Sequence, residues 1–208
     1  MAAAVATTLL LVRHGHVPGI SPERFRGRAD VELTERGHVE ARKSADWIAR
    51  LWQPTIVYTS PMKRCRDTGT EIATRCGVPL EVLADLNDLD YGDWQWQTND
   101  AIAADSPILY QRWRTTPHLM RFPNGESLQE LISRAADALR HAMERHPSET
   151  IVMVSHDSVN RALLSQALDQ PLSAYWKLVQ DPCAISEITI AADGIRVVRV
   201  NESTHLRS

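Results

Sequence analysis

A three-layer α/β/α sandwich with a mostly parallel central sheet and a small inserted cap is predicted by three observations in the 208-residue chain. Short apolar runs rich in β-branched residues alternate with stretches of helical periodicity, the order expected when helices cover both faces of a sheet. The first run, Thr7–Val12, shows no polar alternation, which suits a strand buried on both sides. One stretch, about 87–126, follows neither period and scatters Trp94, Trp96 and Trp113 among polar residues, so it reads as an insertion above the sheet.

The elements follow in order. After the first strand, Thr34 caps a helix whose apolar positions Val39, Ala45, Ile48, Ala49 and Trp52 keep a helical period until Pro54. Ile56–Thr59 is the second strand. Ser60-Pro61, an N-cap with proline behind it, opens a helix through about Cys76 that Gly77 and Pro79 close. Leu80–Leu83 is a third strand. The insertion is where substrate choice is expected, and its tryptophans are read as packing a core of their own. Ser127-Leu128-Gln129-Glu130 is a capping box. Leu128, Leu131, Ile132, Ala135, Leu139 and Met143 mark one face of the helix it opens, which ends near Pro147. Thr150–Ser155 is a strand and Asp157–Leu168 a helix. Glu187–Ile190 and Ile195–Val200 close the pattern as two strands around a tight Ala-Asp-Gly turn. With no repeat or linker dividing it, the chain reads as one domain, 1–208, with a cap at about 87–126.

Composition removes several classes. A net charge of −3 lacks the basic balance of a nucleic-acid binder. Cys65, Cys76 and Cys183 are odd in number and form no Cys-x-x-Cys pair, as expected of reduced thiols in the cytoplasm. The apolar opening Met1–Val12 lacks a basic lead and a spanning length, so neither a leader nor a membrane helix is expected. Eight histidines show no metal-ligand spacing. Ser155-His156-Asp157 lies along a strand, where neighbouring side chains point to opposite faces, and so cannot form a hydrolase triad by adjacency.

Arg13-His14-Gly15 directly follows the first strand, where open α/β sheets present loops to ligands. Arginine offers a fork matched to phosphate oxygens, histidine is nucleophilic near neutral pH, and glycine admits close backbone approach. Alone, the tripeptide is better read as a surface loop that happens to hold Arg and His. Three further segments come in order: Gly27-Arg28-Ala29-Asp30 with Leu33-Thr34-Glu35-Arg36-Gly37, then Thr59-Ser60-Pro61-Met62-Lys63-Arg64, then Val154-Ser155-His156. With Phe122 to Ser127 and the closing Asn201 to Leu206, this ordered set resembles the histidine phosphatase (phosphoglycerate mutase-like) superfamily, its phosphatase branch, from about Leu10 to Leu206.

The resemblance implies that Arg13, His14, Arg64 and His156 converge on one phosphate. His14 would be the neutral nucleophile, one ring nitrogen held by a backbone acceptor. The two guanidiniums and a protonated His156 would balance a phosphate dianion without metal or other cofactor. The leaving alkoxide needs a general acid. Where the family pattern has glutamate, Leu86 to Trp94 places the shorter Asp88, the candidate acid and then base, with Asp90 in reserve. The loop after Arg-His-Gly also departs, carrying His16, Val17, Ile20 and Arg26. Arg26 with Gly27 is read as substrate-binding, Arg26 toward a second acidic group, while Ile20 removes a polar contact to the phosphate. Glu126 is read either as part of the binding mouth or as helix capping.

The implied function is hydrolysis of a small-molecule phosphomonoester through a phosphohistidine, with no nucleic-acid or membrane partner. Two alternatives stay open: a mutase that returns the phosphoryl group to another hydroxyl, and a silent phosphate-ester binder. Lys63 and Lys177 are the only lysines after Lys43, which disfavours the mutase and its lysine-rich carboxylate site. The substrate is left among sugar phosphates, phosphoglycerate derivatives and a cofactor precursor such as an α-ribazole phosphate. An edge strand near Glu187–Ile190 is read as open to pairing in a homodimer.

Overall fold

The computed structural model describes residues 6–207. Six strands form one sheet in the order β3-β2-β4-β1-β5-β6: β1 Thr7–Arg13, β2 Ile56–Thr59, β3 Leu80–Val82, β4 Thr150–Ser155, β5 Ile185–Ala191 and β6 Gly194–Glu202. The first four in that order run parallel, with Leu10 opposite Val152 and Val57 opposite both Val152 and Leu80. β5 returns antiparallel against β1, and β6 against β5. Of the apolar opening segment, residues 1–5 lie outside the described residues, and its second half is β1.

The unbroken apolar run of β1 is explained by two cores. Leu10 and Val12 join Val57, Val152 and Val154 in a cluster with Ala45 and Ile48 of helix α1 (Glu35–Leu51) and Ile72 of helix α2 (Lys63–Cys76). Leu9 and Leu11 face the other way, packing with Ile56, Ile151 and Met153 against α5 (Leu128–Arg145) and α6 (Asp157–Ala167). Burying a Leu or Val side chain stabilises by about 1.5–3 kcal/mol, so a polar residue at any position from Leu9 to Val12 would be costly on either face.

Caps behave largely as read. Thr34 accepts from the Gly37 N–H, and Ser127 with Glu130 forms a reciprocal capping box. The Ser60-Pro61 expectation is corrected. α2 begins at Lys63 behind Met62, which makes no side-chain cap, and the Ser60 hydroxyl is engaged by His156. The pairing expectation at Glu187–Ile190 is corrected as well. β5 is flanked by β1 and β6, and the sheet's edges are β6 on this side and β3 on the other.

Within 87–126, helices α3 (Asn99–Asp105) and α4 (Pro107–Thr115) appear among short turns. Trp94 and Trp113 are buried and pack edge to face with Phe122, while Trp113 also meets Trp176. Trp96 is exposed at φ 66°. No helix among the described residues is long and apolar enough to cross a membrane.

Candidate active site

Four adjacent parallel strands deliver one side chain each from their carboxyl ends: His14 after β1, Arg64 after β2, Asp88 after β3 and His156 after β4. Loops at this edge of an open sheet converge because the strands beneath them lie side by side. The catalytic loop is pressed against the start of α1. A Cβ on Gly15 would meet the Gly37 carbonyl oxygen at 2.6 Å, and one on Gly37 would meet that of His16 at 2.2 Å. Both glycines are therefore required by close approach.

His14 is 1% exposed. Its Nδ1 lies 2.8 Å from the Gly15 carbonyl oxygen. A carbonyl can only accept, so Nδ1 carries the proton and the neutral ring keeps its lone pair on Nε2, which has no hydrogen-bond partner. Burial, then Arg64, His156, Arg13 and Arg26, push His14 well below the usual imidazole range. The ring is thus held neutral with the Nε2 lone pair uncommitted. Its 5.3 Å centroid separation from His156 puts both rings on one site.

Arg64 is fully buried. It donates Nη1 to the Ala29 carbonyl at 2.8 Å and Nη2 to the Gly27 carbonyl at 2.7 Å and to Asp88 Oδ2 at 3.0 Å. Arg13 donates to the Gln180 carbonyl at 2.5 Å. Both leave a buried Nε without a partner, which is costly unless an anion arrives. The Ser60 hydroxyl meets His156 Nε2 at 2.8 Å, and Nδ1 lies 3.4 Å from Asp88 Oδ2. Burial, then Arg64, hold the His156 pKa well below the ordinary value, and the expected protonation belongs to the ring with a phosphate dianion beside it. An incoming dianion would reverse that balance.

Asp88 is 3% exposed. Oδ1 accepts from the Ser158 hydroxyl at 2.6 Å and the Leu89 N–H at 2.9 Å, and Oδ2 accepts from Arg64. Burial raises its pKa even though Arg64 opposes the shift, the direction a general acid needs. Its loop is clamped by Arg134, which donates to the carbonyls of Asp85, Asn87 and Asp88 and, through Nε and Nη2, to both oxygens of Glu126 at 2.9 Å. Glu126 thus supports the acid's loop, and its N–H bonds to the Asp90 carbonyl. Asp90 pairs with Arg28 at 3.1 Å and receives the Gly92 N–H.

Arg26 is 8% exposed and donates Nη1 to the Gly19 carbonyl at 2.6 Å, while its Nε has no partner. Gly27, at φ 45°, gives its carbonyl to Arg64. Arg26 and Asp88 line a cavity together with Tyr91, Trp113, Asp157, Arg161 and Trp176. Sequence reasoning overlooked the partners that set this geometry: Ser60, Ser158, the Gln180 carbonyl, Arg134, and Thr68, whose hydroxyl accepts the Gly15 N–H at 3.1 Å. Asp157 was also missed as a site residue. Burial opposes its carboxylate, yet Arg13, Arg161 and Arg26 hold it below the usual range. Ser158 and Asp157 were findable as neighbours of His156 at a helix start; the carbonyl and Arg134 carry no local signal. No group of side chains suited to a metal ion occurs among the described residues.

The family description "Histidine phosphatase superfamily (branch 1)" matches residues 9–203. Phosphoserine phosphatase 1 of Hydrogenobacter thermophilus is 30% identical over 200 residues, 95% of this chain and 93% of that protein. The metal-independent phosphoserine phosphatase of Arabidopsis thaliana is 30% identical over 159 residues, covering 76% of this chain and 67% of that one. Among solved structures, Bacillus stearothermophilus YhfR superposes with a TM-score of 0.91 at 27% identity, over 97% of this chain and 100% of its own. Mycobacterial relatives at 30% identity are longer, and this chain spans 55% of their length.

Proposed function

Since the chain belongs to the histidine phosphatase superfamily, branch 1, we infer that it is a metal-independent phosphatase that hydrolyses a small-molecule phosphomonoester through a phosphohistidine on His14. The observation that carries the reading is the neutral, backbone-anchored His14 ring, its free Nε2 set among Arg13, Arg64 and His156. Nε2 attacks phosphorus and the ester oxygen leaves opposite. Arg13 and Arg64 take the equatorial oxygens with their unpartnered groups. Asp88 protonates the leaving oxygen, then draws a proton from the water that hydrolyses the phosphohistidine. His156 gains charge as the dianion binds.

The same reading treats residues 1–208 as one unit, with 87–126 as the cap that selects the substrate, in a cytoplasmic protein. Cys65 and Cys183 support that location as buried free thiols, Cys65 pushed up to about 12 by burial. Strand pairing of two copies in a homodimer would use β6, the longer of the sheet's two edge strands. The test is turnover of phenyl phosphate in the presence of chelator. Wild-type activity that persists in chelator and falls at least a thousandfold in His14→Ala supports the mechanism. Loss in chelator restored by added metal, or full activity in His14→Ala, overturns it.

A further inference from the structure

The Arg13 guanidinium has little of its own to hold it. Among the described residues its side chain makes one hydrogen bond, Nη1 to the Gln180 carbonyl at 2.5 Å, and its Nε has no partner. Preorganisation of the phosphate site on this side therefore depends on where that carbonyl stands. Gln180 lies in the turn that leads into β5. Residues 178–180 make no backbone–backbone hydrogen bond among the described residues, and Val179 is 60% exposed. Neither the sheet nor a helix fixes the carbonyl, so side chains must.

A second arginine grips this turn. Arg161, on α6, donates Nε to the Leu178 carbonyl at 2.8 Å and Nη1 to Asp157 Oδ2 at 2.9 Å. Its guanidinium lies over Tyr175 and Trp176, 5.3 and 5.2 Å from their ring centres. Both rings belong to the short helical turn Leu172–Lys177 that runs directly into Leu178. The Trp176 indole in turn donates to the Trp113 carbonyl of α4 at 2.8 Å, which ties the segment to the cap. Arg161 borders the cavity beside Asp88, yet its charge is matched by Asp157 and its side chain is only 14% exposed. It is committed to the protein rather than kept for an anion. Only a planar fork can hold a carbonyl with one arm and a carboxylate with the other in this geometry; an ammonium on a flexible stem cannot.

We propose that Arg161 is a positioning residue for Arg13: by holding the Leu178 carbonyl it sets the Gln180 carbonyl two residues on, which aims the Arg13 guanidinium at the phosphate. This rests on the reading of Arg13 as a phosphate ligand. The contacts run from Asp157 through Arg161, Leu178 and Gln180 to Arg13, and the effect reaches the phosphate through Arg13.

A double-mutant cycle on Arg13 and Arg161 tests it, read as the Kd of inorganic phosphate by calorimetry and as kcat/KM for phenyl phosphate. Arg161→Gln should weaken phosphate binding by about tenfold, and Arg13→Gln by at least as much. The double variant should bind no more weakly than Arg13→Gln alone. Arg161→Lys keeps the charge beside Asp157 but loses the fork, so it should bind severalfold more weakly than the wild type, again with no added loss once Arg13 is gone. It carries the cycle if Arg161→Gln misfolds. Losses that multiply in the double variant overturn the proposal, because Arg161 would then act independently of Arg13. Wild-type binding in Arg161→Lys overturns it as well, since charge alone would suffice. Phosphate binding that Arg13→Gln leaves unchanged removes Arg13 as a ligand and this proposal with it. Phenyl phosphate turnover that does not depend on His14 would instead remove the phosphatase reading, while the calorimetric cycle would still decide whether Arg161 acts through Arg13.

Discussion

At the scale of single residues, the division of labour is between an imidazole kept neutral and a carboxyl kept protonatable. Asp88→Asn preserves the shape of the contacts to Arg64 and Ser158 but donates no proton to a leaving oxygen. Alkyl phosphates should slow by about a hundredfold or more, and phenyl phosphate, whose leaving group needs little protonation, by much less; equal slowing would remove Asp88 from the acid role. The pH profile follows from the same two groups. His14 must be neutral, so the acidic limb of kcat/KM lies below the ordinary imidazole pKa. Asp88 must be protonated for alkyl esters, so their basic limb lies above the ordinary carboxyl value, while phenyl phosphate should show little of that limb. His14, Arg13, Arg64, His156 and Asp88 were legible as residue types behind strand ends. The neutral state of His156 was not, because it depends on desolvation by elements far away in sequence.

At the scale of elements, the acid reaches the phosphate only if the turn carrying it is held, and the holding is done from α5. Arg134 spans three carbonyls of residues 85–88 and both oxygens of Glu126, with Arg134 and Glu126 side chains each 15% exposed. Arg134→Met removes the donor to the carbonyls of Asp85, Asn87 and Asp88, while Glu126 keeps Arg28 and the Asp90 N–H, and should cost about 1–3 kcal/mol in urea unfolding. Its kcat should fall further with alkyl than with aryl phosphates; a stability loss with both substrates affected equally would make Arg134 merely structural. The helices around this turn were readable from capping and apolar period at Thr34 and Ser127. Ser60-Pro61 misled because the helix begins only at Lys63 and the Ser60 hydroxyl, besides accepting the Met62 N–H, serves His156, a use no local pattern records. The cap helices α3 and α4, 7 and 9 residues long, are too short for periodicity to declare.

At the scale of the whole molecule, two buried neutral histidines couple the site to the stability of the fold. Both have pKa values well below the ordinary imidazole value of about 6.5, so the unfolded chain takes up protons first as pH falls. Stability is full above the unfolded value and is lost as pH drops from there toward the folded pKa values. Asp88 works oppositely, its raised pKa favouring the folded state as pH falls toward the ordinary carboxyl range. Between pH 7 and 5 the two histidines outweigh it, and the melting temperature should decline. His156→Gln, an uncharged replacement, should make that decline shallower; an unchanged slope would place the titration elsewhere. Inorganic phosphate supplies the missing charge partner. At a hundred times its Kd it should stabilise by about 2.7 kcal/mol, raising the melting temperature by about 5–10 °C for a chain of this size. That gain should vanish in Arg64→Met, because the buried cation that phosphate neutralises would be gone. A gain that survived the substitution would show phosphate binding away from this centre.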